Sequence, residues 1–287
     1  MISDTFVPAR RMSPEERTDP LLGPGGRYIV GVDGSASSRA ALTWAAARTL
    51  PDGAISLVGI ADDDAGSVGA EYGDDVARRL AHVLSDAADD LLNRYPTARI
   101  TTAVERGMVA DTLARAADQR DVVVIGSDKT GYARGRMFGL RAVQLAAAVR
   151  GTMTVVPSID LRLCTGVAVA VADLQNAPAL AQRGAQEAAR RGCSLAIVHA
   201  VSSGGQLRSA YRDDVLAAAR TAALDTDSNL DVWAHVAQRH PSDAILNLSR
   251  DKALLVVGRS RQTSALGVGQ TLHEVLMNAN APTVVVS

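Results

Sequence analysis

Aromatic side chains are scarce. Phe, Trp and Tyr make up 3% of the 287 residues. That leaves few rings on which bases could stack, and it means the cores must be built mainly from Ala, Val and Leu. There is also no excess of one charge, since 30 Lys and Arg stand against 31 Asp and Glu. Such a balance creates no field to draw DNA, RNA or an anionic membrane. The two cysteines, Cys164 and Cys193, form no CxxC pair. Buried free thiols are therefore expected rather than a disulfide or a metal knot. No apolar run approaches the ~18 residues of a bilayer span. A protein of the cytoplasm, with no nucleic-acid or membrane partner, is the expectation.

Signatures of known chemistry are missing too. There is no GxxxxGK(S/T) and no GxSxG. The histidines, His82, His199, His235, His240 and His273, form no HExxH, and each reads as an ordinary surface or strand histidine. The "DDD" at 62–64 reads as a solvated loop rather than a cation site. No catalytic residue and no metal ligand is expected.

What the chain does have is a regular alternation. Residues 1–26, "MISDTFVPARRMSPEERTDPLLGPGG", lack the apolar core of a signal peptide and read as a flexible tail, with Leu21 and Leu22 touching the body. From Tyr28 onward, apolar runs at 28–33, 54–61, 98–105, 121–126 and 152–157 read as strands. Helical patterns at 39–50, 108–119 and 139–150 lie between them, and the acidic stretch 62–75 reads as a loop leading into a further helix. In that helix Val76, Leu80, Val83, Ala87 and Leu91 fall on one face, with Arg78, Arg79, Asp86 and Asp89 off it. Alternating strands and helices imply an α/β fold: a parallel sheet with helices on both faces, and ligands at the carboxyl ends of the strands.

The plan then recurs. "RGMVADTLARAADQRDVVVIG" (106–126) and "RHPSDAILNLSRDKALLVVG" (239–258) share a basic residue, a turn, a helix, a charged joint and a buried strand ending in Gly. The chain reads as a tandem duplication, with one domain at 27–158 and another at 159–287.

Taken in order, "IVGVDGSASSRAALTWA", "GMVADTLARAADQRDVVVIGS", a Gly-rich loop and "TVVP" resemble the universal stress protein family, over nearly all of residues 27–287. The resemblance implies two flavodoxin-like, or Rossmann-like, domains, each a five-stranded parallel sheet of order 3-2-1-4-5. It further implies that the fifth strands pair across a two-fold axis within the chain, and that tandem chains form homodimers. One branch of the family binds ATP through G-2X-G-9X-G-(S/T); another lacks the motif and does not bind it.

On the first copy, Gly126 matches the first glycine, Lys129 stands at the second, Gly139 matches the third, and Leu140 takes the Ser/Thr place. Lys129 offers a cation for a phosphate. The backbone N–H groups of Leu140 and Arg141 are expected at the start of the fourth helix, where anions bind. The resemblance puts Asp33, with Gly34 and Ser35, beside the adenine, the strand end around Ile60 on the base edge, and the turn of Gly107 and Met108 by the ribose. Asp33 or Ser35 can equally cap the next helix. On the second copy the matching set is Asp173, Gly258, Arg261, Gly269, Gln270 and Thr271, with Gly269 two residues early. The resemblance thus implies an ATP- or adenine-nucleotide-binding regulator of the stress response, its better-preserved site in the first domain. It requires no cofactor and shows at most slow, incidental ATP hydrolysis. The alternative is a scaffold that binds no nucleotide and works through a regulatory protein partner.

Overall fold

The computed structural model describes residues 19–62, 70–127, 134–160, 162–202, 209–259 and 267–287. In the first half β1 (Tyr28–Gly31), β2 (Ala54–Ala61), β3 (Arg99–Arg106), β4 (Val122–Ser127) and β5 (Thr152–Pro157) alternate with α1 (Ala36–Thr49), α2 (Ala70–Arg94), α3 (Val109–Ala116) and α4 (Arg134–Ala148). The second half repeats this with β6 (Val167–Val171), β7 (Leu195–Val201), β8 (Val232–Gln238), β9 (Leu254–Gly258) and β10 (Thr283–Val286). Its helices are α5 (Ala177–Arg191), α6 (Ser209–Thr226), α7 (Pro241–Ser249) and α8 (Gln270–Met277).

All the strands join one sheet of order β3-β2-β1-β4-β5-β10-β9-β6-β7-β8. Read inward from each edge, each half has the order 3-2-1-4-5, with parallel pairing inside it. The halves meet where β5 and β10 pair antiparallel, Val284 opposite Thr154. The implied two-fold pairing of fifth strands is thus present within one chain. β5 is buried along its whole length, as befits a central strand covered on both faces.

Two apolar layers sandwich the sheet, and each runs through both halves. One contains Val30, Leu57 and Leu84 with Val169, Ile197 and Val256. The other contains Ile29, Val123 and Leu145 with Leu255, Leu272 and Val285. On α2 the predicted stripe holds at Leu80 and Leu91, and Leu84 joins it as a buried member; Arg78, Arg79, Asp86 and Asp89 face outward.

Some expectations are corrected. α2 begins at Ala70, inside the stretch read as loop; Gly73 and the acidic residues there hide a helix that its apolar face stabilises. Residues 19–26, expected as tail, pack on the body. Leu21 is buried, and the buried Asp19 carboxylate accepts bonds from Arg48 and from the Tyr28 hydroxyl. Residues 1–18 lie outside the described residues. Cys164 and Cys193 are free thiols, but each is only half-buried, because both sit at chain turns rather than inside strands.

Candidate functional site

Each half presents a crevice above the carboxyl ends of its first and fourth strands, where the strand order reverses.

In the first half the chain leaves β1 through Asp33, Gly34 and Ser35. Gly34 has φ +83°, a left-handed conformation that glycine adopts without strain. Ser35 caps α1, its hydroxyl accepting from the Ser38 N–H at 3.1 Å. The Asp33 carboxylate accepts from the Ser35 N–H at 2.9 Å. Burial would raise the Asp33 carboxyl, but the hydrogen bonds from Ser35 and Ser38 outweigh it and hold the group below the ordinary value. Both residues therefore have capping duties. Asp33, Ser35, Ile60, Gly126 and Arg141 share the wall of one pocket of ≈ 110 Å³. Arg141 reaches across to Asp62, at the end of β2, with an N–O distance of 3.2 Å.

Other predicted residues of this half stand apart from that wall. Gly107 and the exposed Met108 form the turn into α3. Gly139 and Leu140 are not at a helix start. α4 begins at Arg134, so the N–H groups of Leu140 and Arg141 belong to the helix interior, where the i−4 carbonyls take them. Leu140 is exposed. Lys129 lies outside the described residues. Gly126 has a packing reason of its own: a Cβ there would lie 2.2 Å from the Ser37 carbonyl carbon and oxygen. The α1 backbone occupies the space a side chain would need.

The second crevice is larger, ≈ 680 Å³. Asp173, Gly258, Gly269, Gln270 and Thr271, all predicted, line it together; Arg261 lies outside the described residues. Asp173 caps the entry to α5, its carboxylate accepting from the N–H groups of Gln175 and Asn176. At the other rim α8 starts at Gln270, and its N-cap is Gly269, which offers no capping side chain. The Gln270 amide turns along the helix to Glu274. Among the described residues no side chain caps this helix start, the end of a helix at which anions are favoured.

Two lining residues escaped the sequence reading. Arg259 follows β9. Its Nη1 donates to the carbonyl of Val149, just beyond α4 in the first half. Its Nε and Nη2 are buried and have no partner among the described residues. Burial pushes the guanidinium pKa down, and no anion among the described residues opposes that. His199, read from sequence as an ordinary histidine, is 1% exposed. Its Nδ1 lies 2.9 Å from the Val171 carbonyl, which can only accept, so Nδ1 carries the proton. In the neutral ring Nε2 is then an acceptor, and it has no partner among the described residues. Neither signal exists in a sequence, because both consist in the absence of a neighbour.

The cluster of Ser242, His240 and Glu274 has the composition of a hydrolase triad but not its wiring. Ser242 is buried, and its hydroxyl donates to Glu274 while His240 Nδ1 lies 2.9 Å from it. A nucleophile needs the histidine as the base next to an accessible hydroxyl. Among the described residues no group of His, Cys, Asp and Glu is arranged to hold a metal, and no helix is long and apolar enough to cross a membrane.

The family model described as "Universal stress protein family" matches residues 26–157 and again residues 166–287. Among solved structures, a universal stress protein from Archaeoglobus fulgidus DSM 4304 superposes with TM-score 0.72 at 13% identity, covering 92% of this chain and 96% of that one. A Pseudomonas aeruginosa PAO1 protein of unknown function gives 0.58 at 14% identity, covering 96% and 94%. A universal stress protein from Archaeoglobus fulgidus solved in complex with dAMP covers 44% of this chain and 99% of its own, at 21% identity and TM-score 0.36. Among curated proteins none matches the chain.

Proposed function

The chain belongs to the universal stress protein family, and from that premise we propose that it is an adenine-nucleotide-binding regulator whose nucleotide sits in the second crevice. The observation that carries this reading is volume. Pockets that take small molecules run from about 300 to 1,000 Å³. The second crevice, at ≈ 680 Å³, falls inside that range, and the first, at ≈ 110 Å³, falls below it. Motif spacing favours the first half; the space available favours the second.

The walls suit such a ligand. Apolar Leu180, Val198 and Ile245 flank the second crevice, the uncapped end of α8 offers N–H groups to an anion, and His199 Nε2 offers an acceptor to an amino group. ATP, ADP and AMP all fit this chemistry. Turnover is not part of the proposal, because among the described residues no base or nucleophile faces the crevice in a productive pair. The Asp62–Arg141 pair across the first crevice favours a second role for that half, as a scaffold for protein contacts.

Titration calorimetry with AMP, ADP, ATP and cyclic AMP tests the reading. Saturable heat at one site per chain is expected, with a rise in melting temperature. Neither heat nor thermal shift at millimolar nucleotide would end it.

A further inference from the structure

Arg259 carries a positive charge that no ion pair among the described residues balances. Its fork is divided. Nη1 is committed to the Val149 carbonyl, which closes α4 and lies at the negative end of that helix. Nε and Nη2 are buried without a partner. Buried donors without acceptors are costly, and so is a half-buried cation without a counter-charge. The cost is removed if the side chain shifts to present these covered donors to an anion, and Arg259 lines a crevice with room for one.

We propose that Arg259 is the anion anchor of the second crevice: Nε and Nη2 take a phosphate-bearing ligand, the open N-terminus of α8 supplies the second set of donors, and Nη1 stays on Val149. An independent sign of a ligand is His199, almost wholly buried, lining the same crevice and holding an unused acceptor at Nε2. The assignment rests on the reading of this crevice as the nucleotide site, and it names the residue that holds the phosphate there.

Two consequences follow. The hydroxyl that Gln270 no longer provides is replaced by a guanidinium from the strand end, with the planar fork that suits phosphate. In the first half the residue after the matching glycine is Ser127, buried and uncharged, so the anchor exists in one half only. The same side chain touches both halves, so the bound anion and the junction between α4 and β9 share one guanidinium.

Calorimetry on the full chain tests the anchor with three probes: AMP, adenosine and inorganic pyrophosphate. The main variant is Arg259→Gln, which keeps an N–H donor for Val149 but no charge. Arg259→Lys, which keeps charge without the fork, serves if the glutamine variant melts far below the parent. Expected is a loss of about 10- to 100-fold in affinity for AMP and pyrophosphate in Arg259→Gln, no change for adenosine, and about tenfold loss in Arg259→Lys. AMP and pyrophosphate binding to Arg259→Gln as to the parent would overturn the anchor and leave the nucleotide reading standing. Pyrophosphate binding that depends on Arg259, with neither AMP nor adenosine bound, would keep the anchor as a site for free phosphates and sink the nucleotide reading. No binding of any probe to the parent would overturn both.

Discussion

Arg48 of the first half and Glu187 of the second form a two-bonded ion pair inside the core: Nη1 donates to Oε2 at 2.9 Å and Nη2 to Oε1 at 2.5 Å. The Arg48 side chain is 3% exposed and the Glu187 side chain 0%. Asp19 takes two further bonds from Arg48, and the guanidinium carbon stands 4.8 Å from the Trp44 ring centroid. One cation thus joins the segment before β1, helix α1 and helix α5.

Removing Glu187 strips the buried guanidinium of two charge-assisted bonds and leaves it Asp19 as counter-charge. Glu187→Ala is expected to destabilise the chain by about 3–5 kcal/mol. Replacing Arg48 and Glu187 together by Met and Leu is expected to cost much less than the sum of the single changes. Urea unfolding of the singles and the double checks both figures.

Asp19 makes the junction sensitive to acid. Burial works to raise its carboxyl, but Arg48 and the Tyr28 hydroxyl hold it below the ordinary carboxylate value. A depressed folded value means stability that is present above the unfolded pKa of about 3.9 and lost as pH falls through the folded value. Urea midpoints should therefore drop below about pH 4 in the parent. Asp19→Asn should be less stable at pH 7 and show a flatter decline.

Gly126 is expected to act through packing. Gly126→Ala forces a Cβ against the α1 backbone, where no side chain can swing away, and should cost about 1–3 kcal/mol. Thermal unfolding measures it, and saturating AMP should leave the difference between variant and parent unchanged.

His199 should distinguish amino from keto purines. Its free Nε2 is an acceptor, so adenosine, with an exocyclic amine, should bind better than inosine, with a carbonyl in its place, by roughly tenfold. His199→Phe should abolish that preference while leaving pyrophosphate affinity intact. Paired titrations of the two nucleosides read it directly.

The architecture was legible because periodicity and duplication are properties of the chain itself. Runs such as "VVVIG" and "LLVVG" recur in order, and β4 and β9 are where they point. Helix starts were less legible. Charged and glycine residues before Val76 and Gly139 read as loop, while α2 and α4 begin earlier, at Ala70 and Arg134. Five predicted residues do line the second crevice together. Arg259 carries no signal in the sequence, and its unpartnered donors set it apart. Arg48 and Glu187 are 139 residues apart, and no local pattern pairs them.

A crystal structure grown with saturating AMP tests the central claim most directly. The account predicts density for the nucleotide above β6 and β9, its phosphate on Arg259 and the base amine at His199, with the first crevice holding none. Density above β1 and β4 alone, or a second crevice filled only by its own side chains, would contradict it.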